Sequence, residues 1–378
     1  GAFSAISDDA SGVYYNPAGL VYVPYSTFSG SSNTFHISKL SFKNAIGTKN
    51  WERESKAIKA NFFSLVLKSS PKFVWALSYV VPRAQVEDQH EAFMDFNGQN
   101  QDLFFNYHDQ DTLSYMGPSV SYKLNDNFSL GLSLYYFYRN RKYSANQLLL
   151  TNKAVQQWVT QDRVVKIEGI FPILGMMYSP IDKVSIGLTV RTHFTSEKAA
   201  KIDRNSASYR VDDFAASLLT LYQPNLTYSV IYPTQYTLGL AYFVSPKLIF
   251  SSDLDYYHFA KSSNLKNKDY KNMFNLSAGV EYFFKPKQAI RMGVFTNNTN
   301  SKSPYINIED ASKSSIGRRA VDLIGATLGY SIYQNTNNLT VGVVYSKGIG
   351  KAQVNSDNSV SDYKKSELSL ILSASFGF

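Results

Sequence analysis

Asp8 and Asp9 stand side by side near the start of the chain, and paired carboxylates are where general acid–base chemistry would first be sought. Neighbouring residues in a turn seldom converge on one reacting atom, so caps or salt bridges are the ordinary use of such a pair. The five histidines, His36, His90, His108, His193 and His258, lack metal-ligand spacing. The chain has no cysteine, which removes zinc–thiolate sites, thiol nucleophiles and disulfides. No nucleophile–base set or phosphate loop occurs. We therefore expect no enzyme, no cofactor and no metal. Binding remains. Arg139, Arg141 and Arg191 could hold an anionic group, because a guanidinium grips a carboxylate through two parallel hydrogen bonds. The net charge of +9 is spread along the chain rather than gathered in a stripe, which argues against nucleic acid.

These residues need elements to aim them. "FSLGLSLYYFY" (128–138) sets Phe128, Leu130, Leu132, Leu134, Tyr136 and Tyr138 on one face and Ser129, Gly131 and Ser133 on the other. The alternation returns in "VSIGLTVRTHF" (184–194), "YTLGLAY" (236–242), "FNLSAGVEYFF" (274–284), "LTVGVVY" (339–345) and "LSLILSASFGF" (368–378). Segments of about ten residues with period two are the mark of membrane barrel strands. Continued along its strand, the pattern turns Arg139, Arg141 and Arg191 inward. No stretch approaches the roughly 18 apolar residues of a transmembrane helix. The 28 Tyr and 25 Phe suit rings held at a polar–apolar boundary.

A soluble sandwich would alternate as well, but its connections would not sort by length. Here short turns at 69–72, 125–127, 181–183, 245–247, 285–288 and 334–338 alternate with long polar connections at about 37–59, 84–111, 142–164, 195–232, 260–269, 297–320 and 346–365. That order predicts an all-β chain: an antiparallel transmembrane barrel of about 14 strands in the outer membrane of a Gram-negative-type bacterium, with tight turns in the periplasm and long loops outside. The first strand, around 26–36, rises from the periplasm, and the last returns there at Phe378.

Residues 1–24 precede the first strand, and 25–378 form the barrel. "GAFSAISDDASGVYYNPAGL" resembles the N-terminal hatch of the FadL/OmpP1/TodX family of outer-membrane long-chain fatty-acid and hydrocarbon transporters. The matching residues are the acidic pair Asp8 and Asp9 and the run Asn16, Pro17 and Ala18. "LGMMYSPIDKVSIGLTVRTHF", "YPTQYTLGLAYFVSPKLIFSSDLDYYHF" and "GVEYFF" followed by "IRMGVF" resemble the family's later strands in order. The chain departs from the family in starting inside the hatch and in lacking a Leu-Pro-Asp sequence before "DLIGATLGYSIY".

The resemblance implies passive diffusion of a hydrophobic ligand: capture in an external groove, a lumen site, and lateral release into membrane lipid where the third strand is kinked. That strand reads "FVWALSYVVPR" (73–83), and Pro82 cannot donate to a ladder, so it marks a break or simply the strand's end. We expect Asn16–Pro17–Ala18 to lie in the lumen against this strand. Helix-like spacing in 144–160 (Val155, Trp158, Val159) and 211–223 (Phe214, Leu218, Leu221) suggests a loop groove or two loops packed on each other. The inward arginines lean toward fatty acids over neutral hydrocarbons, unless they pair with Asp253, Asp255, Glu281 or the hatch. A monomer is expected. A polar-solute porin and a secretion or surface-interaction barrel are the alternatives.

Overall fold

The computed structural model describes residues 2–46, 48–96, 98–210, 220–222, 225–228, 232–259, 271–301, 319–352 and 360–378. Strands follow one another along the chain: β1 (Thr27–Ile46), β2 (Lys49–Lys68), β3 (Phe73–Phe93), β4 (Gln101–Asn125), β5 (Phe128–Thr151), β6 (Ala154–Ile181), β7 (Val184–Arg191), β8 (Phe194–Arg210), β9 (Thr220–Tyr222), β10 (Asn225–Tyr228), β11 (Thr234–Ser245), β12 (Leu248–His258), β13 (Met273–Lys285), β14 (Gln288–Asn297), β15 (Arg319–Val321), β16 (Leu323–Gln334), β17 (Asn337–Ala352) and β18 (Ser361–Gly377). They form one antiparallel barrel of 14 strands. Pairing of β1 with β18, from Thr27↔Gly377 to Phe42↔Tyr363, closes it. β8, β10 and β15 prolong β7, β11 and β16, since each pair shares a pairing partner or a paired neighbour.

The alternation locates the membrane. Leu130, Leu132 and Leu134 of β5 and Leu238 and Leu240 of β11 are exposed on the outer face. Ser129 and Ser133 are buried on the inner face. Outward aromatic residues cluster at two heights, Phe73, Tyr122, Tyr178 and Tyr242 near the tight turns and Tyr79, Tyr136 and Tyr236 above them. Six residues separate the two heights on β3 and on β11, about 20 Å of strand, which matches an apolar band flanked by aromatic girdles. All backbone groups within that band must pair inside the sheet, which a closed barrel provides.

Above the band the fold differs from expectation. Residues 37–59, 84–111 and 142–164 are largely strand, not loop: β1 and β2, β3 and β4, and β5 and β6 continue as long hairpins into the external space. Outside the membrane neither face meets lipid, so the alternation fades while the ladder persists. The helix expected in 144–160 is likewise strand, turning at Asn152 and Lys153, both with left-handed φ (49° and 64°), as a two-residue hairpin turn requires. β-branched Val155, Val159 and Thr160 favour that outcome, and their three–four spacing is coincidental. Of the second expected helix, 211–219 and 223 lie outside the described residues, and Leu221 falls in the short strand β9.

Residues 2–23 are the exception to strand. They contain the single turn α1 (Gly12–Tyr15) and the 3₁₀ helix η1 (Pro17–Tyr22), with Pro17 at its first turn and Asn16 accepting from Ala18 N (3.1 Å) as its cap.

Candidate functional site

The N-terminal segment lies against inward-facing residues of the barrel. Small hydroxyls of the strands reach its carbonyls. Ser121 and Ser129 donate to Ala18 O at 3.0 and 2.8 Å, and Ser133 and Tyr135 donate to Val13 O at 2.6 and 2.9 Å. Asn16 Nδ2 donates to Ser4 O (2.8 Å) and to Met176 O of β6 (3.1 Å). Asp253 Oδ2 accepts from Phe3 N, Ser4 N and Ser4 Oγ at 2.9–3.1 Å. The Asn16–Pro17–Ala18 run therefore faces β4, β5 and β6, not the third strand as expected. β2 and β3 meet the segment elsewhere, where Val13, Leu20 and Val21 pack with Val66 of β2 and Val74 and Ala76 of β3. Shape decides this seating. A Cβ on Gly131 would stand 2.2 Å from the Pro17 carbonyl carbon, and one on Gly175 2.2 Å from Asn16 Oδ1, so only glycine admits the segment there. Asp9 caps Ser11 locally, accepting from Ser11 N (2.7 Å) and Oγ (2.6 Å), while Asp8 is exposed.

Beside the segment, an aromatic cluster occupies the interior. Tyr14 stacks on Tyr115 (6.0 Å between centroids), Tyr115 on Phe171 (4.7 Å), Phe171 on His193 (4.1 Å) and His193 on Tyr232 (4.4 Å). Tyr135, Phe137 and Val80 complete it. Offset and edge-on contacts of this kind add to the burial of large apolar surfaces. Arg191 lies 5.3 Å from the Tyr14 ring and donates to Tyr15 O (2.9 Å). Burial pushes the Tyr14 phenol up despite Arg191, so the ring meets the cation uncharged.

The arginines have partners. Arg139 grips Asp111 through Nε and Nη2 (2.9 and 2.7 Å), and Arg141 grips Asp109 in the same way (2.9 and 2.7 Å). Arg83 also reaches Asp111 (3.3 Å), and Arg291 pairs with Glu281 (2.9 Å). Asp253 binds the N-terminal segment and Asp255 accepts from Gln235 (2.9 Å), so the partners of Arg139 and Arg141 come from β4 rather than from the carboxylates considered above.

The third strand is interrupted. β2 and β3 pair only from Lys68↔Val74 to Phe62↔Val80. On the other side β3 pairs with β4 on both sides of a bulge, where Val81 and Pro82 stand opposite Ser114 alone. One extra residue changes which residues face inward: Val74, Ala76, Ser78 and Val80 are buried below it, Glu87 and Gln89 above it. Among the described residues no ladder joins 49–61 of β2 to 81–93 of β3. Phe62 and Tyr115 flank Val80, so the seam parts beside the aromatic cluster. Trp158 and Val159 sit half-buried on the external arm of β6, away from this site; Phe214 and Leu218 lie outside the described residues, as do the side chains of Val155 and Leu221.

Sequence reasoning missed three parts of this arrangement. The seating glycines were visible as the centre of "LGL" and "LGM" but read only as small residues. The Arg–Asp pairs were visible as "DQD" (109–111) and "RNR" (139–141), two alternating charge pairs on successive strands. The buried Arg53–Glu87 pair of β2 and β3 lay in what read as loop.

The family described as outer membrane protein transport protein (OMPP1/FadL/TodX) matches residues 1–375. A FadL homologue of Pseudomonas aeruginosa is 15% identical, with a TM-score of 0.66 over 100% of this chain and 96% of that one. The toluene transporter TodX of P. putida is 11% identical, with a TM-score of 0.69 over 98% and 94%. CymD, a monoaromatic hydrocarbon channel, is 12% identical, with a TM-score of 0.63 over 99% and 94%. At these identities the likeness is one of fold. No curated protein matches the chain. The match over nearly the whole sequence, carried on a closed barrel with an apolar outer band, makes this chain a member of the OMPP1/FadL/TodX family, an outer-membrane transport protein and not an enzyme.

Proposed function

We propose that the protein passes neutral hydrophobic molecules of the aromatic-hydrocarbon class across the outer membrane by diffusion, and releases them sideways between β2 and β3. The observation that carries this reading is the end of the β2–β3 ladder at Phe62↔Val80, against the bulge of Val81 and Pro82. The opening begins just above Tyr79, at the outer edge of the apolar band, so its lower end, beside Phe62 and Val80, is where a ligand passes into lipid. The aromatic cluster at Tyr115, Phe171 and His193 supplies ring faces behind it. Residues 2–23 act as the hatch that closes the straight route to the periplasm. The paired states of Arg139 and Arg141 favour neutral ligands over fatty acids, because a carboxylate would have to displace Asp111 or Asp109. TodX and CymD, whose names carry toluene and monoaromatic hydrocarbons, support that class. Capture belongs to the external arms, with Trp158 and Val159 among the candidate apolar contacts.

Deleting Pro82 tests the exit. The deletion removes the bulge without changing which residues face inward above or below it, and so lets the seam zip shut. Uptake of radiolabelled toluene into cells or proteoliposomes should fall to background. Unchanged uptake by a correctly folded deletion protein sinks the lateral route.

A further inference from the structure

Above the opening the seam closes again, and it closes with side chains in place of a ladder. Ser55 Oγ donates to Val86 O (2.7 Å), and Gln89 Nε2 donates to Glu54 O (2.9 Å). Between them the Arg53 guanidinium binds the Glu87 carboxylate through Nε and through Nη2 (2.6 Å), and Nη2 also donates to Tyr107 OH (2.8 Å). The pair is almost wholly enclosed, with side chains 1% and 2% exposed. Its cation lies 5.0 Å from the Trp51 ring and 4.6 Å from the Tyr107 ring. Tyr107 OH in turn donates to Asp109 (3.0 Å), the partner of Arg141.

A buried ion pair is a poor way to gain stability, because desolvation offsets most of the attraction. It is a good way to fix a geometry. Strands joined by a ladder stand about 4.8 Å apart, and each pair made templates the next. A two-pronged Arg–Glu contact spans a wider spacing and templates nothing. The bulge starts the gap, and beyond it β3 regains its pairing with β4 at Arg83↔Leu113 but, among the described residues, not with β2.

We propose that Arg53 and Glu87 are positioning residues for transport: they hold the outer arm of β3 at a fixed distance from β2 and so set the upper edge of the lateral opening and the largest ligand that can leave through it. This rests on the lateral-release reading. The two strands between Ser55 and Phe62 on one side and Val80 and Val86 on the other leave a slot on the order of 20 Å long. Loosening its upper end lengthens it.

The test replaces the pair with a volume-matched apolar one, Arg53→Met with Glu87→Met, which leaves no buried charge unpaired. Correct folding is checked by heat-modifiable gel mobility. The chain has no cysteine, so spin labels can be placed at Lys56→Cys and Asp88→Cys alone, and the distance between the arms read by pulsed electron paramagnetic resonance. The double-Met protein should show a broader distance distribution. Uptake of a bulky polycyclic hydrocarbon relative to toluene should rise several-fold. An unchanged distance distribution overturns the proposal. So does a broadened distribution with an unchanged bulky-to-toluene ratio, provided that the Pro82 deletion abolishes uptake. If the Pro82 deletion leaves uptake intact, the lateral route itself has failed and the upper-edge role fails with it, and the distance measurement then reports only a structural clasp.

Discussion

Two stretches of the same wall put one alternating pattern to opposite uses. From β4 to β6 the ladders run long, with β5 and β6 paired from Phe128↔Tyr178 to Thr151↔Ala154. There most inward positions below the aromatic cluster are serine or glycine, and the wall grips the N-terminal segment. From β2 to β3 the ladder stops at Phe62↔Val80, and the wall parts. Composition does not separate the two stretches, since both are apolar outward. One extra residue, one missing N–H and one buried ion pair separate them. Small features that interrupt backbone pairing govern where a barrel is open, and small inward residues govern where it is filled.

The grip is the side of this comparison that should break most visibly. Gly131→Val with Gly175→Val puts side-chain carbon where Pro17 and Asn16 now stand, at separations that no rotamer relieves. The segment must leave its seat and lose the bonds from Ser121, Ser129 and Asn16, each worth about 1 kcal/mol. Planar-bilayer recordings should then show a large, steady current, and the parent protein should show none. A closed double mutant would mean that the segment is held by something other than the β4–β6 wall.

The seam side should respond next. Glu87→Ala leaves the Arg53 guanidinium buried without its carboxylate, a loss of about 3–5 kcal/mol for a fully enclosed pair. The cost should fall locally, because β3 and β4 remain paired beyond the bulge. Limited proteolysis should cut the external arms of β2 and β3 faster, while the membrane-embedded strands keep their protection. Uniform loss of protection would make the pair a general stabiliser of the barrel.

How far the sequence could be read follows the same division. Within the membrane, lipid on one side forces alternation, and the strands, the tight turns and the barrel closure are legible from it. The hatch-like segment was legible as non-strand, since Pro17, Gly19 and Asn16 carry turn chemistry. Its seat was not, because the contact of Gly131 with Pro17 joins residues far apart in the chain and depends on the register. Outside the membrane the pattern fades, so the long arms read as loops and Val155, Trp158 and Val159 as a helix face. The partners of Arg139 and Arg141 were within reach: pairing "DQD" with "RNR" needs only the turn at 125–127 and a count along each strand.

That pairing yields the smallest expected effect and the finest division between ligand classes. Arg139→Ala leaves Asp111 with Arg83 at 3.3 Å, and Arg141→Ala leaves Asp109 with Tyr107 OH at 3.0 Å, so neither carboxylate is stranded. Because each carboxylate keeps a partner, the loss of stability should stay below the cost of stranding a buried charge, about 3–5 kcal/mol. A neutral ligand gains nothing from either cation, so affinity for toluene should stay within about twofold of the parent. A ligand carboxylate held by either arginine would lose about tenfold for each 1.4 kcal/mol of that contact. Fluorescence or calorimetric titration with a neutral hydrocarbon and a fatty acid of equal length separates the two. A fatty acid that binds the parent tightly and loses tenfold in both variants would show that Asp109 and Asp111 yield their arginines to ligand, and the aromatic cluster would then hold only the tail.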